Sequence, residues 1–188
     1  MRDRAPSLRA GFLAAALPLL AACGSDGSGP DRLAADEVAG VYNLCVLRFT
    51  PSNNILPVAD LMATVVDTTP PPGRAEATVS LANGVYDLVY TRTGNAFMQQ
   101  MRGSISYGAT TVTLNTPSSS LVAQELLLVR PLTLAFQAGT SRTLSMQSSS
   151  PYSVARNDYA SAIGSNGDGL AQSITGTLSI SFSTAPCG

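Results

Sequence analysis

The three cysteines of this 188-residue chain, Cys23, Cys45 and Cys187, are the residues whose chemistry is most readily defined. Cys23 lies in an N-terminal segment with its own character, which leaves Cys45 and Cys187 as a pair. In an oxidising compartment an even pair of thiols usually forms a disulfide. Cys45 lies in the first predicted strand and Cys187 just after the last, so a bond between them requires the two ends of the domain to be neighbours. Two separate thiols are the alternative.

The absence of histidine excludes several classes of active site. Histidine titrates near neutral pH and is the commonest metal ligand. Without it the chain cannot form a Ser-His-Asp or Cys-His nucleophile system or a histidine-containing zinc site. Two cysteines are also too few for a four-cysteine zinc site. We therefore expect no catalytic residue, no metal site and no cofactor.

Carboxylates are the remaining candidates for acid-base chemistry or cation binding. Asp60, Asp67, Asp87 and Glu125 permit paired-carboxylate catalysis in principle, but their spacing brings no two of them together. The segment Asn166-Gly167-Asp168-Gly169 has one carboxylate and lacks the distal glutamate of an EF-hand calcium loop. We interpret that segment as a turn and expect a protein that is not an enzyme.

The N-terminal thirty residues have the three parts of a secretory signal. Arg2, Arg4 and Arg9 form a basic region, and residues 10–22 are almost wholly apolar. This run of 13 residues is shorter than the roughly 20 that a transmembrane helix needs. The pattern therefore predicts a cleaved signal rather than a permanent membrane span.

The end of the apolar run, Leu20-Ala21-Ala22-Cys23, resembles the lipobox of bacterial lipoproteins, whose cysteine receives a diacylglycerol before cleavage. The resemblance implies a signal peptide over residues 1–22, a lipid on Cys23 and the membrane as a partner. Residues 23–36 would then form a lipid-anchored flexible tether, rich in Gly and Ser at its start. In lipoproteins of bacteria with two membranes, an Asp directly after the lipid cysteine resembles an inner-membrane retention signal. In this chain that residue is Gly24. The resemblance thus implies a cell-envelope location, in the outer membrane if the host has two membranes. An ordinary signal peptide beside a free cysteine is the alternative.

Cleavage before Cys23 would leave a length that suits one domain, over residues 37–188. This mature chain has eight arginines, no lysine and eleven acidic residues, so its formal charge is −3. Such mild acidity gives no electrostatic footprint for nucleic acid. We therefore expect no nucleic-acid partner.

From residue 40 onward the hydrophobic pattern has a period of two, which is typical of β-strands. The clearest hairpin joins residues 77–81 to residues 86–90 through Asn83-Gly84, a pair that suits a type I′ turn. A second hairpin is predicted around Gly108. In the last strand, residues 174–183, apolar side chains alternate with Ser and Thr, so one face is buried and the other is in water. Residues 59–66 are predicted to be another strand, and residues 148–169 a polar loop.

Eight or nine short strands with little helix predict an all-β fold. An antiparallel up-and-down β-barrel of about eight strands explains the hairpins and the proposed end-to-end disulfide. A β-sandwich is the alternative, since the same alternation serves both. Gly40-Val41-Tyr42 followed by serial hairpins resembles the lipocalin-like barrels, which hold apolar ligands. Tyr42 replaces that family's tryptophan, and no arginine follows Arg156 to cover the closed barrel end, so the resemblance concerns architecture more than ligand binding.

If the barrel encloses a pocket, its candidate lining residues are the aromatic and methionine side chains Tyr42, Tyr86, Tyr90, Met98, Met101 and Phe136. Barrels of this size either hold one small ligand or are filled by side chains. Arg48, Arg92 and Arg102 are candidates for binding an anionic head group at the barrel mouth, or else solvated strand residues. The expected function is a lipid-anchored envelope protein whose barrel binds a small apolar or amphipathic ligand. The alternative is a structural or protein-interaction module with no ligand pocket.

Overall fold

Eight strands form a closed antiparallel β-barrel in a computed structural model that describes residues 32–95, 97–117, 120–148 and 151–188. Two further short strands, Ala59–Asp60 and Tyr152–Ala155, extend the sheet beyond it. In chain order the strands are β1 (Gly40–Pro51), β2 (Ala59–Asp60), β3 (Ala77–Ala82), β4 (Val85–Thr91), β5 (Met98–Tyr107), β6 (Thr111–Asn115), β7 (Leu132–Gln137), β8 (Thr143–Gln147), β9 (Tyr152–Ala155) and β10 (Ser173–Ser183). The barrel closes because β1 pairs with both β3 and β10. The predicted all-β barrel is confirmed, and the sandwich alternative is wrong. Cys23, the predicted signal peptide and most of the predicted tether lie outside the described residues.

The two ends of the barrel differ. At the hairpin end, tight turns join β3 to β4, β5 to β6 and β7 to β8, and the Leu33 N–H donates a 2.9 Å hydrogen bond to the Gly108 carbonyl. At the loop end, the connections are longer and contain most of the helical residues. The helices are α1 (Ala35–Val38), near the hairpin end, and α2 (Leu61–Thr64), α3 (Leu121–Glu125) and α4 (Arg156–Ala162). Within the described ranges, no helix has the length and hydrophobicity needed to cross a membrane.

The hairpin between β3 and β4 has the predicted turn. Asn83 and Gly84 both have positive φ angles, 51° and 74°. This left-handed conformation at two successive positions matches the twist of the paired strands. The register continues directly from the turn, with Ala82 opposite Val85.

A β-bulge interrupts β1 at Cys45. The register passes from Leu44 opposite Phe182 to Val46 opposite Ser181, which leaves Cys45 as an extra residue. Beyond the bulge, Leu47 is buried and Val46 is exposed. The bulge therefore explains why both faces of this strand are apolar in sequence, because the inward set changes parity partway along.

The Cys45–Cys187 disulfide forms as predicted. The two Cα atoms lie 5.2 Å apart across a sequence separation of 142 residues. Cys187 belongs to the short tail after β10, and Cys45 belongs to β1, the strand that β10 pairs with. The bond therefore links the first and last strands of the barrel beside the seam at which it closes.

Inward-facing side chains from all eight barrel strands form one hydrophobic core. Two large aromatic rings lie over glycines on neighbouring strands, Tyr86 over Gly103 and Phe49 over Gly176. A Cβ atom on either glycine would lie within 2.7 Å of its aromatic neighbour. Glycine at these two positions therefore gives the rings the space they occupy, and both rings are part of the core packing.

Two sequence predictions at the loop end are wrong. Of residues 59–66, only Ala59–Asp60 is a strand, and Leu61–Thr64 is a helical turn. The segment 148–169, predicted to be a loop, contains β9 and α4. Both of these short elements bury apolar side chains, including Tyr152 and Tyr159, that are spaced too widely among polar residues to stand out as a pattern.

Candidate functional site

Four of the predicted ligand-lining residues are part of the packed interior. Tyr42, Tyr86, Tyr90 and Met101 are at most 3% exposed and belong to the hydrophobic core. The Tyr42 hydroxyl donates a 2.7 Å hydrogen bond to the Val38 carbonyl, which ties α1 to the hairpin end. These residues pack with other core side chains and occupy part of the barrel interior.

Met98 and Phe136, the other two predicted lining residues, lie outside this core. Met98 is 55% exposed on the outer face of β5. It is three positions from Met101, and an odd spacing along a strand places two side chains on opposite faces. Met98 is therefore wrongly assigned to the interior. Phe136 is partly buried near the hairpin end and packs against the edge of the core.

Phe136 lines a groove of about 430 Å³ at the hairpin end. The groove walls come from the N-terminal segment and from two hairpin turns, with Leu33, Glu37, Thr110, Phe136, Ala138, Gly139 and Arg142 as lining residues. Arg142 is fixed there because it donates hydrogen bonds to the Glu37 carbonyl at 2.9 Å and the Ala39 carbonyl at 2.8 Å. Its guanidinium also lies 5.6 Å from the centre of the Tyr42 ring. The groove can accept an apolar group beside a fixed cation.

Tyr42 lies next to this groove, and the pKa of its phenol is shifted by its surroundings. Burial raises the pKa of Tyr42 above its ordinary value of 10.0, and the positive charge of Arg142 partly offsets the rise. The phenol therefore stays protonated at neutral pH and acts as a hydrogen-bond donor. Nothing in this pairing provides a nucleophile or a general base.

The connection containing α3 covers the loop end. Leu126, Leu127 and Leu128, which follow α3, are fully buried. Glu125 accepts a 2.6 Å hydrogen bond from the Tyr90 hydroxyl and forms an ion pair with Arg92. Burial, and then the hydrogen bond to Glu125, raise the pKa of Tyr90. Apolar packing and this buried polar contact together hold the connection against the barrel.

The three arginines predicted to bind an anionic head group do not form a cluster. Arg48 pairs with Asp60 at 2.9 Å on β1, whereas Arg92 pairs with Glu125. Arg102 on β5 lies opposite Asp87, five residues along β4 from Arg92, which is about 17 Å at 3.3 Å per residue. Arg102 and Arg92 therefore do not meet at one barrel mouth, and Arg48 and Arg92 each pair with a different carboxylate.

The loop at residues 166–169 is held by its own side chains. The Asn166 amide donates to the Asp168 carboxylate at 2.6 Å, and the Asp168 N–H donates to the Asn166 side-chain oxygen at 3.1 Å. In the part of the chain that the structure describes, no three His, Cys, Asp or Glu residues are grouped as metal ligands would be.

A set of exposed apolar side chains at the loop end was missed by sequence reasoning. Phe97 is 74% exposed and precedes Met98, and Leu121 on the neighbouring α3 is 80% exposed. Ile55 and Val58, in the connection after β1, are exposed at the same end. Phe97, Ile55 and Val58 lie in connections between strands, where the strand period carries no information on exposure. Exposed apolar residues grouped on a surface are typical of interaction sites.

The chain matches no protein family, no curated protein and no solved structure.

Proposed function

We propose that this chain is a lipid-anchored, non-enzymatic protein of a bacterial cell envelope, and that its barrel is a structural or protein-interaction module rather than a ligand container. The observation that carries this proposal is the burial of the four interior side chains at which a ligand was expected. These side chains are at most 3% exposed and belong to the hydrophobic core: Tyr42, Tyr86, Tyr90 and Met101. A filled barrel is the common alternative to a ligand-binding one at this strand number.

The proposed anchor rests on the N-terminal pattern ending at Cys23 and on the disulfide. The lipobox-like residues before Cys23 and the Gly/Ser-rich residues after it fit a lipid anchor and its tether. The Cys45–Cys187 bond fits export to an oxidising compartment. Gly24, after the cysteine, supports outer-membrane placement in a host with two membranes.

The position of the N-terminal segment on the barrel determines which end of the barrel the proposed anchor would hold nearer to the membrane. The hydrogen bond from Leu33 to Gly108 fixes the N-terminal segment at the hairpin end. A lipid on Cys23 would therefore hold the hairpin end nearer to the membrane. The loop end, with exposed Phe97, Met98 and Leu121, would be presented to partners on the far side.

The anchor is tested by expressing the full chain and a Cys23→Ser variant in bacteria. We expect the wild-type protein in the membrane fraction, with a lipid mass on an N-terminal peptide that begins at Cys23. The variant should be released in soluble form with its disulfide intact. A soluble wild-type protein without the added mass would contradict the anchor and leave the fold unaffected.

The packed interior is tested by native mass spectrometry of the exported Cys23→Ser protein. We expect one mass, that of the bare polypeptide, before and after incubation with a lipid extract. A reproducible added mass that is lost on denaturation would contradict the module and support a ligand carrier.

A ligand-binding role is the second candidate, and the hairpin-end groove favours it because Phe136 lines an open apolar space there. The chain contains no tryptophan, so Phe136→Trp gives a single fluorescent reporter in the groove. Titration with laurate should shift its emission to shorter wavelength if the groove binds an acyl chain. Phe97→Trp at the loop end is the control, and equal shifts in both variants would indicate nonspecific association.

A further inference from the structure

Two side chains of opposite charge line the hairpin-end groove without pairing with each other. Arg142 uses a single guanidinium nitrogen for its bonds to the Glu37 and Ala39 carbonyls, which leaves its other terminal nitrogen for an anion. The Glu37 carboxylate accepts a 2.9 Å hydrogen bond from the Ala34 N–H and is exposed to solvent. Within the described part of the chain, neither side chain belongs to an ion pair. The groove therefore presents a fixed cation and a separate carboxylate.

The position of the Arg142 guanidinium depends on a glycine. A Cβ atom at Gly40 would lie 2.7 Å from one of the terminal guanidinium nitrogens. The absence of a side chain at Gly40 thus gives the guanidinium its space at the start of β1. A cation that is held by two carbonyls and fitted against a glycine is a preorganised partner for an anion, because little side-chain freedom remains to be lost on binding.

The rest of the groove is apolar. Leu33 and Phe136 are partly buried and pack against the core with part of their surface facing the groove, beside Ala138. Val41, the residue after Gly40, is 59% exposed at the same end of the barrel. The groove volume of about 430 Å³ lies within the range of about 300–1,000 Å³ that is typical of ligand sites. One concave surface thus combines an apolar wall with both signs of charge.

This combination matches a zwitterionic amphiphile better than the alternatives. A purely anionic lipid would be attracted by Arg142 and repelled by Glu37, because both side chains line the same groove. A phosphoethanolamine head group carries both a phosphate, which a guanidinium binds through paired N–H groups, and a primary ammonium, which donates to a carboxylate. A choline head group has the same charges, but its quaternary nitrogen has no N–H to donate.

We propose that the hairpin-end groove docks on the bilayer by binding the head group of a phosphoethanolamine phospholipid, with the phosphate on Arg142, the ammonium on Glu37 and hydrocarbon against Leu33 and Phe136. This inference deepens the proposed function and rests on its lipid anchor, which holds the hairpin end near the membrane. The anchor supplies a high effective concentration of lipid, so each contact can be weak. The phospholipid stays in the bilayer, and the extracted protein carries no added mass.

Vesicle binding by the exported Cys23→Ser protein tests the proposal. The vesicles contain phosphatidylcholine alone, or phosphatidylcholine with an equal part of phosphatidylethanolamine or of phosphatidylglycerol, and cosedimentation measures binding. We expect the vesicles with phosphatidylethanolamine to bind about fivefold more tightly than the other two, the ratio that one partly exposed charged contact provides. In the Phe136→Trp form of the same protein, these vesicles should also shift the emission to shorter wavelength.

A neutral substitution at Glu37 separates head-group recognition from general adhesion. Glu37→Gln should abolish the preference for phosphatidylethanolamine over phosphatidylcholine, because the amide no longer attracts the ammonium. The amide oxygen can still accept the Ala34 N–H, so the fold should be retained. Asp36→Asn is the matched control. It removes the adjacent exposed carboxylate, which does not line the groove, and it should keep the preference.

Three results would overturn the docking site. They are equal binding to all three kinds of vesicle, tighter binding to phosphatidylglycerol, and an emission shift in Phe97→Trp at the loop end without one in Phe136→Trp. These experiments use protein without the lipidated cysteine, so their failure would leave the lipid anchor unaffected. Failure of the anchor is detected separately, by the absence of a lipid mass at Cys23 of the wild-type protein.

Discussion

The Tyr90 hydroxyl donates a 2.6 Å hydrogen bond to Glu125, and this contact joins the barrel interior to the connection that covers its loop end. Tyr90 is fully buried on β4, while Glu125 is the last residue of α3. A phenol-carboxylate hydrogen bond in a buried setting is stronger than one between neutral groups. The pair therefore fixes the position of α3, which by itself is too short to be stable.

Loss of either contact that Glu125 makes, with Tyr90 or with Arg92, should destabilise the fold. Tyr90→Phe leaves a partly buried carboxylate oxygen without its donor, so we expect a loss of about 1–3 kcal/mol in the free energy of unfolding. Arg92→Ala should cost less, because the Arg92 side chain is half exposed and exposed ion pairs contribute about 0–1 kcal/mol. Urea denaturation measures both.

Gln100→Ala is the matched control for these variants. Gln100 on β5 donates two hydrogen bonds to Asp87, and both are exposed to solvent. Its loss should change the free energy of unfolding by no more than about 0.5 kcal/mol. Equal effects of Gln100→Ala and Tyr90→Phe would show that Glu125 does not hold α3 in the way described.

The Cys45–Cys187 disulfide should contribute substantially to stability because it constrains a long loop in the unfolded chain. For a separation of 142 residues, the chain-entropy treatment gives up to about 5 kcal/mol. The double variant Cys45→Ala/Cys187→Ala should still form the barrel, since β1 and β10 remain paired through their backbone ladder. We expect it to unfold at a markedly lower urea concentration.

Reduction of the unmodified protein provides the comparison for the disulfide variant. Dithiothreitol should lower the urea midpoint of the unmodified protein to that of the double variant and leave the variant unchanged. Cys23→Ser, which keeps the disulfide, should retain the higher midpoint. An unchanged midpoint after complete reduction would mean that the bond adds nothing to stability.

Met98 and Met101 form a matched pair for testing which face of β5 points inward. Met101 is 3% exposed and Met98 is 55% exposed. Met101→Ala should cost about 2–5 kcal/mol of unfolding free energy, as large-to-small core substitutions do. Met98→Ala should change it by no more than about 0.5 kcal/mol. The two values, measured by urea denaturation, would be similar or reversed only if the strand register were different.

Met98 and Met101 illustrate which features of the fold can be predicted from the sequence. Strand alternation and the Asn83-Gly84 turn predict the barrel hairpins correctly, because these signals are local to the backbone. The placement of Cys45 and Cys187 also follows, since a disulfide requires the two chain ends to meet. The assignment of Met98 to the interior is wrong because it rests on residue type alone. The period of two along β5 places Met98 and Met101 on opposite faces, so the strand pattern excludes an interior position for both.

Other features depend on contacts between distant segments and have no local signal. The bulge at Cys45 is visible only once β1 is paired with β10. The bond between Tyr90 and Glu125 joins residues 35 positions apart. The burial of Tyr86 depends on its meeting Gly103 on the neighbouring strand, and no periodicity distinguishes such packing from a cavity lined by the same residues.

The buried tyrosines should make the protein sensitive to alkaline pH. Burial raises the pKa values of Tyr86 and Tyr152 to about 12, and it also raises the pKa of Tyr42 and of Tyr159. In the unfolded chain each would titrate near 10. Between these values the folded state holds protons that the unfolded state has released. Stability is therefore complete below about pH 10 and falls as pH rises from about 10 to 12.

This alkaline loss of stability can be assigned to tyrosine because the chain has no lysine, the other side chain whose ordinary pKa lies near 10. Each group with a raised pKa can contribute a slope of at most about 1.4 kcal/mol per pH unit. Urea denaturation at several pH values from about 8 to 11.5, with tyrosinate absorbance recorded in parallel, measures both quantities. We expect the absorbance of the folded protein to lag behind that of the urea-unfolded protein, and Tyr152→Phe to make the decline less steep. Tyrosine ionisation near pH 10 in a protein that stays folded, with constant stability, would show that these phenols are accessible to solvent.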